Sequence, residues 1–77
     1  MEEAVRTIDN YDLALLSQRV TVHPKSGGKF YGEVAGMSRQ HLLVRVDGID
    51  IGRGIESVKN ELRKFEYPVG VEVQDGG

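Results

Sequence analysis

The chain has 77 residues, a formal net charge of −2 and no cysteine. A chain of this length holds one domain, and without cysteine neither a disulfide framework nor a thiolate metal site reinforces its core. No stretch approaches the roughly 20 apolar residues that cross a bilayer, and the acidic start does not resemble a secretory signal. We therefore expect no membrane partner and a cytoplasmic location.

Basic residues are concentrated in the middle of the chain. Residues 19–45 contain five Lys or Arg side chains against one acidic residue, Glu33, whereas acidic residues outnumber basic ones before and after this segment. Affinity for phosphates rises with the number of cations presented, so the overall acidity excludes a strong nonspecific polyanion binder. Any contact with nucleic acid is expected to be local to the basic segment.

The predicted elements begin with a short helix over residues 9–18. Asp9 suits the cap position and Asp12 the positive end of the helix dipole. A strand follows in which Val20 and Val22 alternate with polar residues until Pro24 ends it. Residues 25–28 have the composition of a turn.

Two further strands are predicted in the middle of the chain. Phe30, Gly32 and Val34 share one face of the second strand. The third strand runs from His41 to Val46 and turns its Leu and Val side chains inward. Asp47-Gly48 is the favoured two-residue hairpin signal, so a fourth strand is expected to start at residue 49.

The pattern changes in the last third of the chain. Ile55, Val58, Leu62 and Phe65 recur at helical spacing, which predicts a second helix that Pro68 ends. Residues 69–73 then alternate as the last strand. The expected fold is mainly β: a small five-stranded barrel with an N-terminal helix and a helix inserted before the last strand. The domain covers 9–73, between an N-terminal tail (1–8) and a disordered tail (74–77).

A family resemblance supports this fold. Residues 11–46, YDLALLSQRVTVHPKSGGKFYGEVAGMSRQHLLVRV, resemble the first sequence motif of Sm-like proteins, and Gly27, Gly32 and Gly36 match its glycine spacing. Residues 51–54, Ile-Gly-Arg-Gly, resemble the Arg-Gly of the second motif. The resemblance implies a Src-homology-3-like barrel with a role in RNA metabolism or transcription regulation, and it adds Arg53 as a candidate RNA contact.

A more distant likeness is to the small Rho-binding antitermination modulators. Residues 8–12, Ile-Asp-Asn-Tyr-Asp, are similar to the acidic and aromatic entry to their first helix. This likeness implies binding to an RNA-handling protein, such as a transcription termination factor, instead of RNA itself. Asp9 and Asp12 would then form an acidic surface for a basic partner.

The best candidate contact surface is basic and aromatic. Strand alternation turns Lys29, Tyr31 and Arg45 away from the core, where cations and a stacking ring suit single-stranded nucleic acid. With the turn and strand-end residues, the predicted surface for RNA or a partner comprises Lys29, Tyr31, Arg39, His41, Arg45 and Arg53. A third possibility is a homo-oligomer formed through Leu43 or the last strand.

Catalysis is not expected. No serine stands in a nucleophile-elbow motif, and neither His23 nor His41 is paired recognisably with an acid. The Gly-Lys step at residues 28–29 lacks the spacing of a phosphate-binding loop. We therefore expect a binding protein with no cofactor and no metal.

Overall fold

A computed structural model describes residues 5–10 and 12–74. These residues form one antiparallel sheet of six strands in the order β1-β6-β2-β3-β4-β5. The strands are β1 (Val5–Ile8), β2 (Arg19–His23), β3 (Lys29–Met37), β4 (His41–Asp50), β5 (Ile55–Glu66) and β6 (Val69–Val73). The prediction of a β-rich domain is confirmed, whereas the five-stranded barrel is wrong: the sheet is open, with β1 and β5 at its edges.

The core lies on one face of this sheet. Alternate residues of β2, β4 and β6 supply most of it, because side chains on a strand point to opposite faces in turn. Leu15 from the segment before β2 and Phe65 from β5 also belong to it. The buried apolar residues are Ile8, Leu15, Val20, Val22, Val34, Leu42, Val44, Val46, Phe65, Val69 and Val71.

The first predicted helix is wrong. Among the described residues of 9–18, only Leu13–Leu15 are helical, as a single 3-10 turn capped by Asp12, whose carboxylate accepts a hydrogen bond from the Ala14 amide at 3.1 Å. Leu15 is the only buried residue of this turn. Tyr11, within the predicted helix, lies outside the described residues. A segment with one buried side chain gains too little from packing to support a longer helix.

The second predicted helix is also wrong, because residues 55–66 form the edge strand β5. Nine residues of β5 pair with β4, from Ile55 opposite Asp50 to Glu66 opposite His41. The four apolar residues whose spacing predicted a helix do not form a buried face. Of its four members only Phe65 is buried, and Ile55 and Leu62 are exposed.

The predicted turn at Asp47-Gly48 lies inside β4. The chain reverses four residues later, at 51–54, where Gly52 and Gly54 have positive φ angles of 102° and 98°. Asp47-Gly48 instead coincides with an irregularity in the pairing with both β3 and β5. Extending β4 to Asp50 adds ladder hydrogen bonds that a turn at 47–48 would forgo.

The two ends of the described chain also join the sheet. Four residues from the segment assigned to the N-terminal tail form β1, which pairs with β6 from Val5 opposite Glu72 to Ile8 opposite Val69. Gln74 is held by two hydrogen bonds, from its amide to the Arg19 carbonyl oxygen at 2.8 Å and from its side chain to the Thr21 hydroxyl at 2.6 Å. The predicted last strand is therefore β6, and β1 and β2 flank it on both sides.

Candidate functional site

Four of the six residues predicted to form the contact surface lie on the outer face of the sheet, which is the face opposite the core. Phe30 packs against the core and Val44 is fully buried, so their neighbours along the strands point outward. The residues that this alternation places on the outer face are Lys29, Tyr31, His41 and Arg45.

The predicted residues do not form one cluster. Arg39 lies in the turn between β3 and β4, beside His41 at the start of β4. Lys29 pairs with Asp50 at the other end of β4, and Arg53 lies in the turn that follows. The structure therefore places Arg39 and His41 at one end of the 10-residue strand β4 and Lys29 and Arg53 at the other.

Tyr31 and Arg45 occupy the middle of the outer face. Tyr31 is half-buried and lies two residues before Glu33, which pairs directly with Arg45. β5 contributes Lys64, which pairs with Leu43 and is exposed on the same face. At the centre of the face, Arg45 therefore lies between Tyr31 on one side and the exposed Lys64 on the other.

An ion pair spans the outer face next to this centre. The guanidinium of Arg19 on β2 lies 2.8 Å from the Asp47 carboxylate, which projects from the irregular part of β4. The hydrogen bond with Asp47 raises the pKa of Arg19 above its ordinary value. Since Arg45 also faces Glu33, the charges on this face are nearly balanced.

An open cleft of about 600 Å³ adjoins this ion pair. The residues that line it are Arg19, Val20, Tyr31, Asp47, Gly48, Ile55, Ser57 and Gln74. The Tyr31 ring forms one wall, and the polar groups can donate or accept hydrogen bonds. The arginine in the cleft is already compensated by the aspartate, so the cleft presents no excess charge to a ligand.

The predicted acidic surface does not exist as a helix face. Asp12 caps the 3-10 turn, and its carboxylate lies 3.9 Å from the Arg6 guanidinium. Asp9 is exposed and lines a shallow cleft with Arg6 and Asp12. Because the predicted first helix does not form, Asp9 and Asp12 do not present their carboxylates from a helix face.

Each histidine lies near one carboxylate of a neighbouring strand. His23 Nε2 is 3.5 Å from Glu72, and His41 Nε2 is 3.8 Å from Glu66. His23 Nε2 is buried and makes no hydrogen bond with any residue that the structure describes. In the parts of the chain that the structure describes, no three His, Asp or Glu residues are grouped as a metal site requires.

The feature that sequence reasoning missed is the free edge of β5. Leu62 is 61% exposed and Ile55 is 65% exposed, both on a strand whose second side pairs with no other strand in the described part of the chain. Residues 61–66 carry no local signal of a strand, because Leu62 and Lys64 share one face and Arg63 and Phe65 the other, so each face mixes apolar and charged side chains. The helical spacing of the apolar residues was the stronger pattern.

Comparisons with known proteins identify no relative. No family model, no curated protein and no solved structure matches this chain. Within residues 5–10 and 12–74, no helix is long and apolar enough to cross a membrane. The candidate surface therefore has to be interpreted from its own chemistry.

Proposed function

We propose that this chain is a non-enzymatic binding module that contacts single-stranded RNA through the outer face of β3, β4 and β5. The observation that carries the proposal is that Arg45 lies between Tyr31 and Lys64 on this face: Tyr31 is two residues from Glu33, which pairs with Arg45, and Lys64 pairs with Leu43, two residues from Arg45. Single-stranded nucleic acids bind where an aromatic ring stacks on a base and nearby cations contact phosphates. No folded duplex is required for this mode of binding.

The balanced charge of the face limits the expected affinity. Lys29, Arg45 and Lys64 supply about three phosphate contacts. For this number of contacts, a plot of the logarithm of the binding constant against the logarithm of the salt concentration has a slope of about −2. Glu33 and Asp47 oppose tighter binding. We therefore expect affinity of the order of micromolar at low salt and much weaker binding at physiological salt.

The test is fluorescence anisotropy of a short, labelled, unstructured RNA at both salt concentrations. The double variant Arg45→Ala/Lys64→Ala should bind about tenfold more weakly and show a shallower salt slope, because two phosphate contacts are lost. The control is Arg6→Ala/Lys25→Ala, which removes the same charge outside the proposed contact surface and should leave the affinity within about twofold.

A second pair of variants separates stacking from charge. Tyr31→Leu should weaken binding by about tenfold, since stacking on an aromatic side chain contributes about 1–3 kcal/mol per base. Tyr31→Phe keeps the ring and should bind like the parent protein. If the parent protein does not bind at low salt, or if both double variants bind equally, the proposal is wrong.

A further inference from the structure

The free edge of β5 is the longest unpaired feature of the sheet. Among residues 5–10 and 12–74, β5 has 12 residues and pairs only with β4, whereas the other edge strand, β1, has four. Backbone N–H and C=O groups that point away from the sheet on such an edge are a template for another strand. A strand that pairs with β5 would satisfy these backbone groups.

Only part of β5 is regular enough to define a register. Glu61–Glu66 pairs with His41–Val46 residue by residue, and the irregularity of the ladder lies before Glu61. In an antiparallel ladder, alternate residues direct their backbone groups to one side. In two identical copies, a residue can lie opposite only a residue whose backbone groups point to the same side. A two-fold axis that relates the two strands therefore passes between two copies of the same residue, and not between two neighbouring residues.

The charges of the segment select one of these registers. An axis on Glu61, Arg63, Lys64 or Glu66 places like charges directly opposite each other, which is unfavourable. An axis on Phe65 is excluded because that ring is already buried in its own core, 8% exposed, and β5 ends one residue later. An axis on Leu62 is the remaining choice.

The register centred on Leu62 is complementary on both faces of the sheet. On the outer face, the two Leu62 side chains are brought together, and each is 61% exposed in the single chain. On the core face, Glu61 of the first copy lies opposite Arg63 of the second copy. Arg63 of the first copy likewise lies opposite Glu61 of the second copy. Within one chain Arg63 Nε already lies 3.0 Å from the Glu61 carboxylate, so both groups are positioned on the same face.

We propose that β5 is a self-association edge, at which two copies of the chain pair antiparallel with Leu62 on the two-fold axis and Glu61 opposite Arg63. The dimer joins two six-stranded sheets into one. It also brings Arg45 and Lys64 of both copies around the paired leucines on the outer face. Self-association does not rest on RNA binding and is tested with protein alone.

The decisive experiment reverses the charge of Glu61 or of Arg63 and measures the dimerisation affinity by sedimentation equilibrium. Glu61→Arg and Arg63→Glu each create like-charge contacts across the axis, so each variant alone should dimerise at least tenfold more weakly than the parent protein. An equimolar mixture of the two variants restores opposite charges only between different chains. The mixture should therefore form a heterodimer with an affinity within a few-fold of the parent dimer.

Glu56→Arg is the matched control. It makes the same charge change on the same strand, but Glu56 lies beyond the irregular part of the ladder and outside the regular segment Glu61–Glu66 that defines the register. It should dimerise like the parent protein. All these side chains are exposed, so circular dichroism should show each variant folded.

The absence of native cysteine permits a direct test of the register. Leu62→Cys should form an intermolecular disulfide readily, because directly opposite Cβ atoms in a ladder approach to about 4.5–5.5 Å and a small shift suffices for a bridge. Lys64→Cys should cross-link much more slowly, since its copies are offset along the strands. A parent protein that is monomeric at several hundred micromolar, no recovery in the mixed variants, or equal cross-linking at both positions would overturn the proposal.

Discussion

The two strands of the β4–β5 hairpin differ more than any other neighbours in the sheet. β4 is paired on both sides, and Leu42, Val44 and Val46 are completely buried. β5 is longer, yet Phe65 is its only buried residue and its second side is unpaired. The same ladder thus joins a strand that forms the core to a strand that faces solvent.

This difference shows what holds each strand in place. β4 has the alternating apolar pattern of a half-buried strand, which its own sequence specifies. β5 is charged and has no such pattern over most of its length, so it is a strand because β4 offers a ladder and because Phe65 packs against the core. Phe65 lies edge-on to Phe30, with ring centroids 5.1 Å apart, and Arg63 covers the Phe30 ring at 5.2 Å.

The largest expected effect compares leucines of the two strands. Leu42→Ala should lower the free energy of unfolding by about 3 kcal/mol, because it leaves a cavity in the core. Leu62→Ala should change it by less than about 0.5 kcal/mol when measured on dilute, monomeric protein, because that side chain is exposed. Urea unfolding followed by circular dichroism checks both values. Equal losses would show that β5 is buried in the monomer.

A somewhat smaller loss of stability is expected at Gly32, where the backbones of β3 and β4 lie close together. A Cβ atom on Gly32 would overlap the Arg45 carbonyl oxygen and lie 2.9 Å from the Val46 Cα atom. Gly32→Ala should therefore cost about 2 kcal/mol or more, because the two backbones must move apart. Gly36→Ala on the same strand is the control, since its nearest neighbour, the Leu43 Cδ1 atom, is 3.6 Å away. The same urea experiment would contradict this account if both variants were equally stable.

The smallest expected loss of stability concerns Tyr67, which follows β5 and contacts the first residue of β4. The Tyr67 hydroxyl donates a hydrogen bond to the His41 carbonyl oxygen at 3.1 Å. Tyr67→Phe should lower the free energy of unfolding by about 1 kcal/mol at neutral pH.

The pH dependence of this contact has a definite sign. Burial raises the pKa of Tyr67 above its ordinary value of about 10. The folded state therefore favours the neutral phenol, so its contribution to stability is complete below pH 10 and is lost as the pH rises through the folded-state pKa. The difference between the parent protein and Tyr67→Phe should shrink over that range, and a constant difference would rule out this linkage.

The parts of the fold that could be predicted are those with a short, strict alternation. Val20 and Val22 in β2, and Val69 and Val71 in β6, are buried as expected, because a period of two residues is a property of the strand itself. For the candidate site, the same rule placed Tyr31 and Arg45 on the outer face. It did not predict Lys64 near Arg45, since that required β5 to be a strand.

The failures share a physical cause. Asp47-Gly48 has the residues of a tight turn, but the longer β4–β5 ladder and the Arg19–Asp47 contact hold it within a strand. Both are interactions between segments distant in sequence, and no local pattern reports them.

The sequence by itself therefore determined that this is a small β-rich domain, which of the β2, β4 and β6 side chains form the core, and which residues of β3 and β4 face away from it. Those features depend on alternation and burial, which act over a few residues. Only the tertiary structure decided that residues 55–66 are an edge strand, that β1 pairs with β6, and that the chain reverses at 51–54. Pairing between strands satisfies backbone groups whose partners the local sequence does not specify.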